Sequence, residues 1–231
     1  MTLAIIVPVL DEASTIRASL TRLAGLRQRG AAVIVVDGGS RDGTPALAAG
    51  LADAVLAAPR GRAVQMNAGA QRALANPATD TLLFLHADTQ LPDDADTFVA
   101  AACGGRSLAW GRFDVSIDGR SAALPLVAAL MNLRSRLSGI CTGDQCIFMT
   151  RAMYAATGGF AAIALMEDID FSRRARRLAW PSALRARAIT SGRRWERDGV
   201  LRTVLLMWRL RIAFHFGGDP ARLAATYRDA R

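Results

Sequence analysis

The residue types best able to do chemistry fall in a few short stretches. Phe84-Leu85-His86-Ala87-Asp88-Thr89 runs an apolar strand into a single carboxylate, with an imidazole two residues ahead of it. A metal-and-phosphate site would often carry a second acid where His86 stands, so the pair raises the question of what Asp88 serves, and a histidine there also suits an ordinary structural role. Glu167, Asp168 and Asp170 crowd one turn. Like-charge repulsion there raises one carboxyl pKa toward neutrality, as a general base requires, although the spacing does not say which. The same acids would also decorate an ordinary helix N-terminus, where the macrodipole favours them.

A second set of stretches suits a nucleotide. Asp37-Gly38-Gly39-Ser40-Arg41-Asp42-Gly43 joins a strand-tip acid to a glycine-rich loop and a second acid. Glycines let backbone approach a ligand closely while Asp37 accepts hydrogen bonds from a base edge or ribose hydroxyl. It is neither a dinucleotide fingerprint, since GxGxxG is absent, nor a P-loop, since GK[ST] is absent. Val7-Pro8-Val9-Leu10-Asp11-Glu12 reads as a strand followed by paired acids, with Ser14 as helix cap. Arg60-Gly61-Arg62 stands at a helix entrance with Asn67 and Gly69 on the helix, which suits phosphate or base contacts. Thr142-Gly143-Asp144-Gln145 precedes a strand, and Ser191-Gly192-Arg193-Arg194-Trp195-Glu196-Arg197 is a basic loop.

Positioning these residues requires strand tips. Apolar β-branched runs at 3–9, 32–36, 54–57 and 81–85 alternate with helical patterns carrying Ile16, Leu20 and Leu23, then from Pro45, then over 63–74. Such alternation implies a parallel sheet, whose ligands bind beyond the strands' carboxyl ends, where Asp37 and Asp88 fall. Farther on, the patterns predict a helix over about 93–102, strands over 108–117 and 146–150, and a helix over 122–137. No repeat or linker marks a boundary, so one domain is expected over 1–231, with a nucleotide half to about 105, an acceptor half to about 195 and a helical extension beyond.

Composition narrows the classes. The balance is 29 basic to 20 acidic residues, net +9, and every basic residue is Arg. Mechanisms that need a P-loop or Schiff-base lysine are excluded. The arginines are scattered, so no nucleic-acid partner is expected; anionic small molecules or an anionic membrane surface fit better. Cys103, Cys141 and Cys146 form neither an even disulfide set nor a CxxC pair, which points to a reducing compartment, and no secretory signal is read, so a cytoplasmic location is expected. The apolar stretch 200–216 is broken by Arg202, Arg209, Arg211 and His215. It suits a helix packed on the core or in a homodimer interface, the preferred reading, or one lying peripherally at the inner membrane face.

Taken together, VPVLDE, VDGGSRDGT, GRAVQMNAG and HADT resemble glycosyltransferase family 2. The resemblance covers roughly residues 3–195 and implies a GT-A fold: an α/β, Rossmann-like, mainly parallel sheet flanked by helices. It implies a nucleotide-diphospho-sugar donor, UDP-sugar favoured, and a divalent metal, Mg²⁺ or Mn²⁺, held by Asp88. His86 stands where the family's acid-x-acid motif has its first acid, and is a second candidate ligand. Asp168, with Glu167, matches the family's Glu-Asp pair and would be the general base of an inverting transfer. Pro8, Glu12, Asp37, Gly39, Asp42, Gly61, Arg62, Asn67, His86, Ala87 and Asp88 would line the donor site. Asp144, Gln145, Arg193, Arg194 and Trp195 would face acceptor or diphosphate. Arg194-Trp195 resembles the Arg-Trp of processive members but lacks their preceding Gln, which implies a short transfer to a small-molecule or lipid-linked hydroxyl. The HADT and RRWERDG runs are also similar to a bacterial subgroup described as radical-SAM/selenodomain-associated, or arsenosugar-biosynthesis, transferases. The competing reading is a binding module for nucleotide-sugars or membrane surfaces that keeps the fold without catalysis, motivated by the missing first acid.

Overall fold

Apolar runs make the first strands of the computed structural model, which describes residues 2–229. These are β1 (Thr2–Val9), β2 (Ala32–Asp37), β3 (Ala54–Ala57) and β4 (Thr79–Phe84). They pair in parallel, β1 lying between β2 and β4, because helices carry the chain back across the sheet each time. The returning helices are α1 (Ile16–Arg22) with α2 (Ala24–Gln28), α3 (Thr44–Ala48) and α4 (Arg62–Leu74). The helix expected through Leu23 is thus broken into two at that residue. Ser14 is not its cap: α1 starts behind Thr15, whose hydroxyl instead donates to Glu12 Oε2 at 2.7 Å.

The second half completes the same sheet. It comprises β5 (Thr89–Gln90), α5 (Ala95–Cys103), β6 (Trp110–Asp118), α6 (Leu124–Ser138), β7 (Phe148–Thr150) and α7 (Arg151–Thr157). Then come α8 (Glu167–Ala175), β8 (Ser182–Ser191), α9 (Arg193–Asp198), α10 (Val200–His215) and α11 (Pro220–Asp229). The strand order is β3-β2-β1-β4-β7-β6-β8-β5. β7 runs antiparallel to both β4 and β6, so the sheet is mixed rather than parallel throughout.

Successive β1 side chains enter opposite layers, as strand geometry demands. Ile5, Val7 and Val9 join Leu83, Phe113 and Phe148 on one face; Ala4 and Ile6 join Val36, Phe84 and Trp110 on the other. Both faces are dry, which is why β1 and β2 read as continuous apolar runs, and each fully buried Ile contributes about 1.5–3 kcal/mol. α4 lies close on the sheet because Gly69 has no side chain: a Cβ there would stand 2.5 Å from Ile6 Cγ2. The carboxyl ends of β1, β2 and β4 consequently share one edge, and the candidate residues gather beyond it.

Candidate active site

Two loops form the outer part of that edge. Asp37, only 6% exposed, receives the amides of Gly39 and Ser40 at 3.0 Å each and the Ser40 hydroxyl. Gly39, at φ 93°, supplies the left-handed turn that brings those amides round. Asp42 receives Ala13 N–H at 2.8 Å and both the amide and hydroxyl of Thr44, whose hydroxyl group accepts Glu12 N–H at 2.8 Å. These hydrogen bonds, that of Thr44 first, hold the Asp42 carboxyl below its ordinary range. The loop after β1 is therefore fastened to the loop after β2. Pro8 and Glu12 lie at its inner side, both half-buried.

α4 sorts the residues of GRAVQMNAG. Gln65 donates to the carbonyls of Val9 and Val36, at 2.8 Å each, and ties the ends of β1 and β2 together. Asn67 was expected at the donor, but its amide is engaged elsewhere: it donates to Phe160 O at 2.7 Å and accepts Phe160 N–H and the Tyr154 hydroxyl at 3.0 Å each. Gly61, at φ 147°, opens the helix, and Arg62 alone projects toward other charges.

Those charges arrive from three further segments. Arg62 Nη1 lies 3.6 Å from Glu167 Oε1, and Asp144, Asp168 and Asp88 also act on it. The Arg62 side chain is 45% exposed, and although desolvation in the crevice works to lower its pKa, the four carboxylates, Glu167 foremost, hold it above its ordinary value. Glu167 is 3% exposed, and burial pushes its carboxyl up against the opposing pull of Arg62, with Asp168 pushing the same way as burial. The carboxyl with the raised pKa in this turn is thus Glu167. Asp168 accepts Gly143 N–H at 3.0 Å and Ile169 N–H at 2.7 Å, which fixes its direction.

His86 packs against the turn at 143–145. Its Nδ1 lies 3.2 Å from Asp144 Oδ1, while Nε2 is buried without a hydrogen-bond partner and faces Gly143, where a Cβ would come within 2.3 Å of it. Burial works to raise the Asp144 pKa, yet His86, Arg62 and Arg211 together hold it below the ordinary range. Arg62, His86, Gly143, Glu167 and Asp168 line one small cavity with Phe84 and Phe160. Asp88 stands half-buried past β4; its carbonyl accepts Ser191 N–H at 3.2 Å and its Oδ1 is 3.4 Å from the Thr89 hydroxyl.

Other expected residues lie apart from this group. Gln145 is buried and closes the 143–145 turn, accepting Thr142 N–H at 3.2 Å and donating to Asn132 at 3.2 Å. Ala87 is buried in the core. Arg193 bonds Ser191 Oγ, Arg194 stacks over Tyr227 at 3.9 Å, and Trp195 packs on the cluster around Val115 and Leu124. Sequence reasoning missed Arg134 on α6. Its Nε and Nη2 are buried without hydrogen-bond partners, and burial first, then Arg211, push its pKa down to about 10 while Asp168 opposes them. The signal was available: Arg134 interrupts the leucines of a helix that is otherwise apolar on that side.

Among the described residues, no three of His, Cys, Asp and Glu gather into a ready metal cage. The donors still fit Mg²⁺ or Mn²⁺, since such ions are commonly held by one or two carboxylates and completed by substrate phosphates and water. Asp88, half-buried past β4, has the chemistry of such a carboxylate, and the unpartnered His86 Nε2 would have to turn from Gly143 to act as a second donor.

Comparison with known proteins follows the geometry. A search of the curated proteins finds no match. Among solved structures the chain is similar to S. aureus TarS 1–349 in complex with UDP-GlcNAc, at 17% identity and TM-score 0.63 over 83% of this chain and 58% of that one. It is similar to the mannosyltransferase PcManGT from Pyrobaculum calidifontis in complex with GDP-Man and Mn²⁺, at 22% identity and TM-score 0.60 over 93% and 61%. It also resembles glucosyl-3-phosphoglycerate synthase from Mycobacterium tuberculosis in complex with Mn²⁺, UDP and glucosyl-3-phosphoglycerate, at 19% identity and TM-score 0.57 over 82% and 70%. The chain spans about three fifths of the first two, and likeness at these identities establishes the GT-A fold. The family model described as glycosyl transferase family 2 matches residues 4–153, the segment that carries both fastened loops, Arg62, His86, Asp88 and Asp144, and the chain belongs to that family.

Proposed function

We propose that this protein transfers a sugar from a nucleotide-diphospho-sugar to a hydroxyl acceptor, small-molecule or lipid-linked, with inversion at the anomeric carbon. The observation that carries this reading is Arg62, a guanidinium set among Glu167, Asp144, Asp168 and Asp88 at the carboxyl edge of the sheet. Such a group can meet a diphosphate, and the acids around it can hold a cation and accept a proton. UDP-sugar is the favoured donor, because two of the three similar structures above contain UDP or a UDP-sugar.

The loops after β1 and β2, with Pro8, Glu12, Asp37, Gly39 and Asp42, would receive the base and ribose. Asp88, helped by His86, would hold Mg²⁺ or Mn²⁺, which when bound neutralises the diphosphate charge. Arg62 would orient the diphosphate. Arg193 follows Ser191, whose amide already meets the Asp88 backbone, and could swing to the same group. Asp168, aimed by the Gly143 and Ile169 amides, would take the acceptor proton as its oxygen attacks the anomeric carbon. The bond from that carbon to the diphosphate breaks, and its electron pair leaves with the nucleoside diphosphate. Buried Glu167 would serve as a positioning residue that keeps Arg62 in place. The HADT and RRWERDG runs support placing the chain in the bacterial subgroup named above.

The test is a thermal-shift panel of UDP-, GDP- and dTDP-sugars with and without Mn²⁺, followed by an assay for released nucleoside diphosphate. Metal-dependent stabilisation by one donor and release of its nucleotide are expected. Stabilisation without release under any acceptor mixture would favour the non-catalytic binding module instead.

A further inference from the structure

The large apolar side chains left exposed are concentrated, not scattered. Among the described residues, eleven of fourteen lie on α6, on α10 with Phe216 just beyond it, or in the turn at 178–180. On α6, Leu126, Leu130, Leu133 and Leu137 are 51–74% exposed. On α10, Leu201, Leu205, Trp208 and Ile212 repeat the same four-three-four spacing and are 56–72% exposed. Each set makes one helical stripe. Trp180, 56% exposed, lies against Gly139 at the end of α6 and extends the first stripe.

Both helices already have a buried side: Leu124 and Ala128 on α6, Thr203 and Leu210 on α10. A helix on the surface of a globular protein needs one apolar face, and these carry two. They are neighbours, since Val200 packs in the cluster of Val127 and Met131, and Arg211 acts on Arg134. Charge says what could cover them. Neither helix contains an acidic residue, Arg202 and Arg209 are exposed on α10, and Arg176 and Arg177 are exposed just before Leu178. A second copy pairing on this face by two-fold symmetry would set arginine rows against each other. No helix among the described residues is long and apolar enough to cross a membrane.

We propose that α6, α10 and Trp180 form a docking face for an anionic lipid bilayer, with the stripes at the acyl boundary and the flanking arginines among the headgroups. α10 also packs on Met166 and Ile169, either side of Glu167 and Asp168, so docking holds the candidate active site beside the lipid surface. Only that last step, access to lipid-borne acceptors, rests on the glycosyltransferase reading.

The test is co-sedimentation of the whole chain with vesicles of phosphatidylcholine alone and of phosphatidylcholine mixed with phosphatidylglycerol, with no donor or metal present. The protein should pellet with the anionic vesicles, show a blue-shifted tryptophan emission there, and be released by salt. The combined variant Leu201→Ser, Leu205→Ser, Trp208→Ser should weaken vesicle binding by about tenfold or more. Its thermal midpoint and its response to nucleotide-sugars should stay unchanged. Leu130→Ser with Leu133→Ser should weaken binding independently through α6. The proposal is overturned if the protein stays in the supernatant with anionic vesicles, or if both variants bind as the natural chain does. It is also overturned if the natural chain is a dimer that the α10 variant dissociates, which would assign the face to a second copy. Because no donor is used, failure of the enzymatic reading leaves this result intact, and the converse holds.

Discussion

The loops after β1 and β2 and the crevice under Arg62 are equally rich in charge, yet they are opposite in how that charge is satisfied. In the loops, Asp37 and Asp42 have their oxygens filled by amides and hydroxyls of the same two loops. In the crevice, carboxylates crowd one arginine, Glu167 is buried with a raised pKa, and His86 keeps a buried nitrogen with no partner. Burying polar groups without closing their hydrogen bonds is costly, so the two loops are self-supporting through their own acids, whereas the crevice holds Asp168 by two amides and leaves the buried His86 Nε2 without a partner.

The sharpest way to break that comparison is Asp168→Asn. Turnover should fall by about a thousandfold while the thermal shift given by the donor persists. Equal turnover would remove the crevice from the chemistry. Next comes Asp37→Ala, which removes a buried carboxylate and leaves the Gly39 and Ser40 amides and the Ser40 hydroxyl without their acceptor. Urea denaturation should show a loss of about 3 kcal/mol together with weaker donor binding, since Asp37 holds the loop proposed to receive the base; unchanged stability would show that the loop does not depend on it. Asn67→Ala should cost about 2 kcal/mol by the same measurement, because it frees the turn at Phe160.

The smallest effect is the most diagnostic. The folded pKa of Glu167 is raised, so its contribution to stability is fully present below the unfolded glutamate value and is lost as pH rises through the folded one. Glu167→Gln should abolish that decline, and denaturation curves collected from mildly acid to neutral pH would reveal it. A variant that still weakens with rising pH would place the effect elsewhere.

The contrast also explains what the sequence could disclose. β1, β2 and β4 were legible because strands buried on both faces must be apolar along their length. β8 was not, because SALRARAITS sets small alanines between arginines and reads as a basic cluster, although Ala188 is fully buried and the strand pairs with both β6 and β5. The acids of the crevice were legible from their types and from the family resemblance. The same letters could not separate Arg62, which faces the crevice, from Asn67 five residues on, which leaves the helix on another side and closes on Phe160. Gln145 was misplaced for a similar reason: its side chain completes its own turn instead of turning outward. Nor could spacing choose between the neighbouring acids 167 and 168, since that choice depends on which one the fold buries.

One backbone detail links the far ends of the molecule. Met166, the residue before the acid pair, sits in the left-handed region at φ 71°, a conformation that costs a side-chain-bearing residue about 1–2 kcal/mol. Its side chain is held in the cluster that α10 makes with Leu210 and Leu206. The packing of α10 therefore buttresses the one residue of this turn that bears backbone strain, and the start of α8, where Glu167 and Asp168 stand, is supported from the tail of the chain as well as from the sheet.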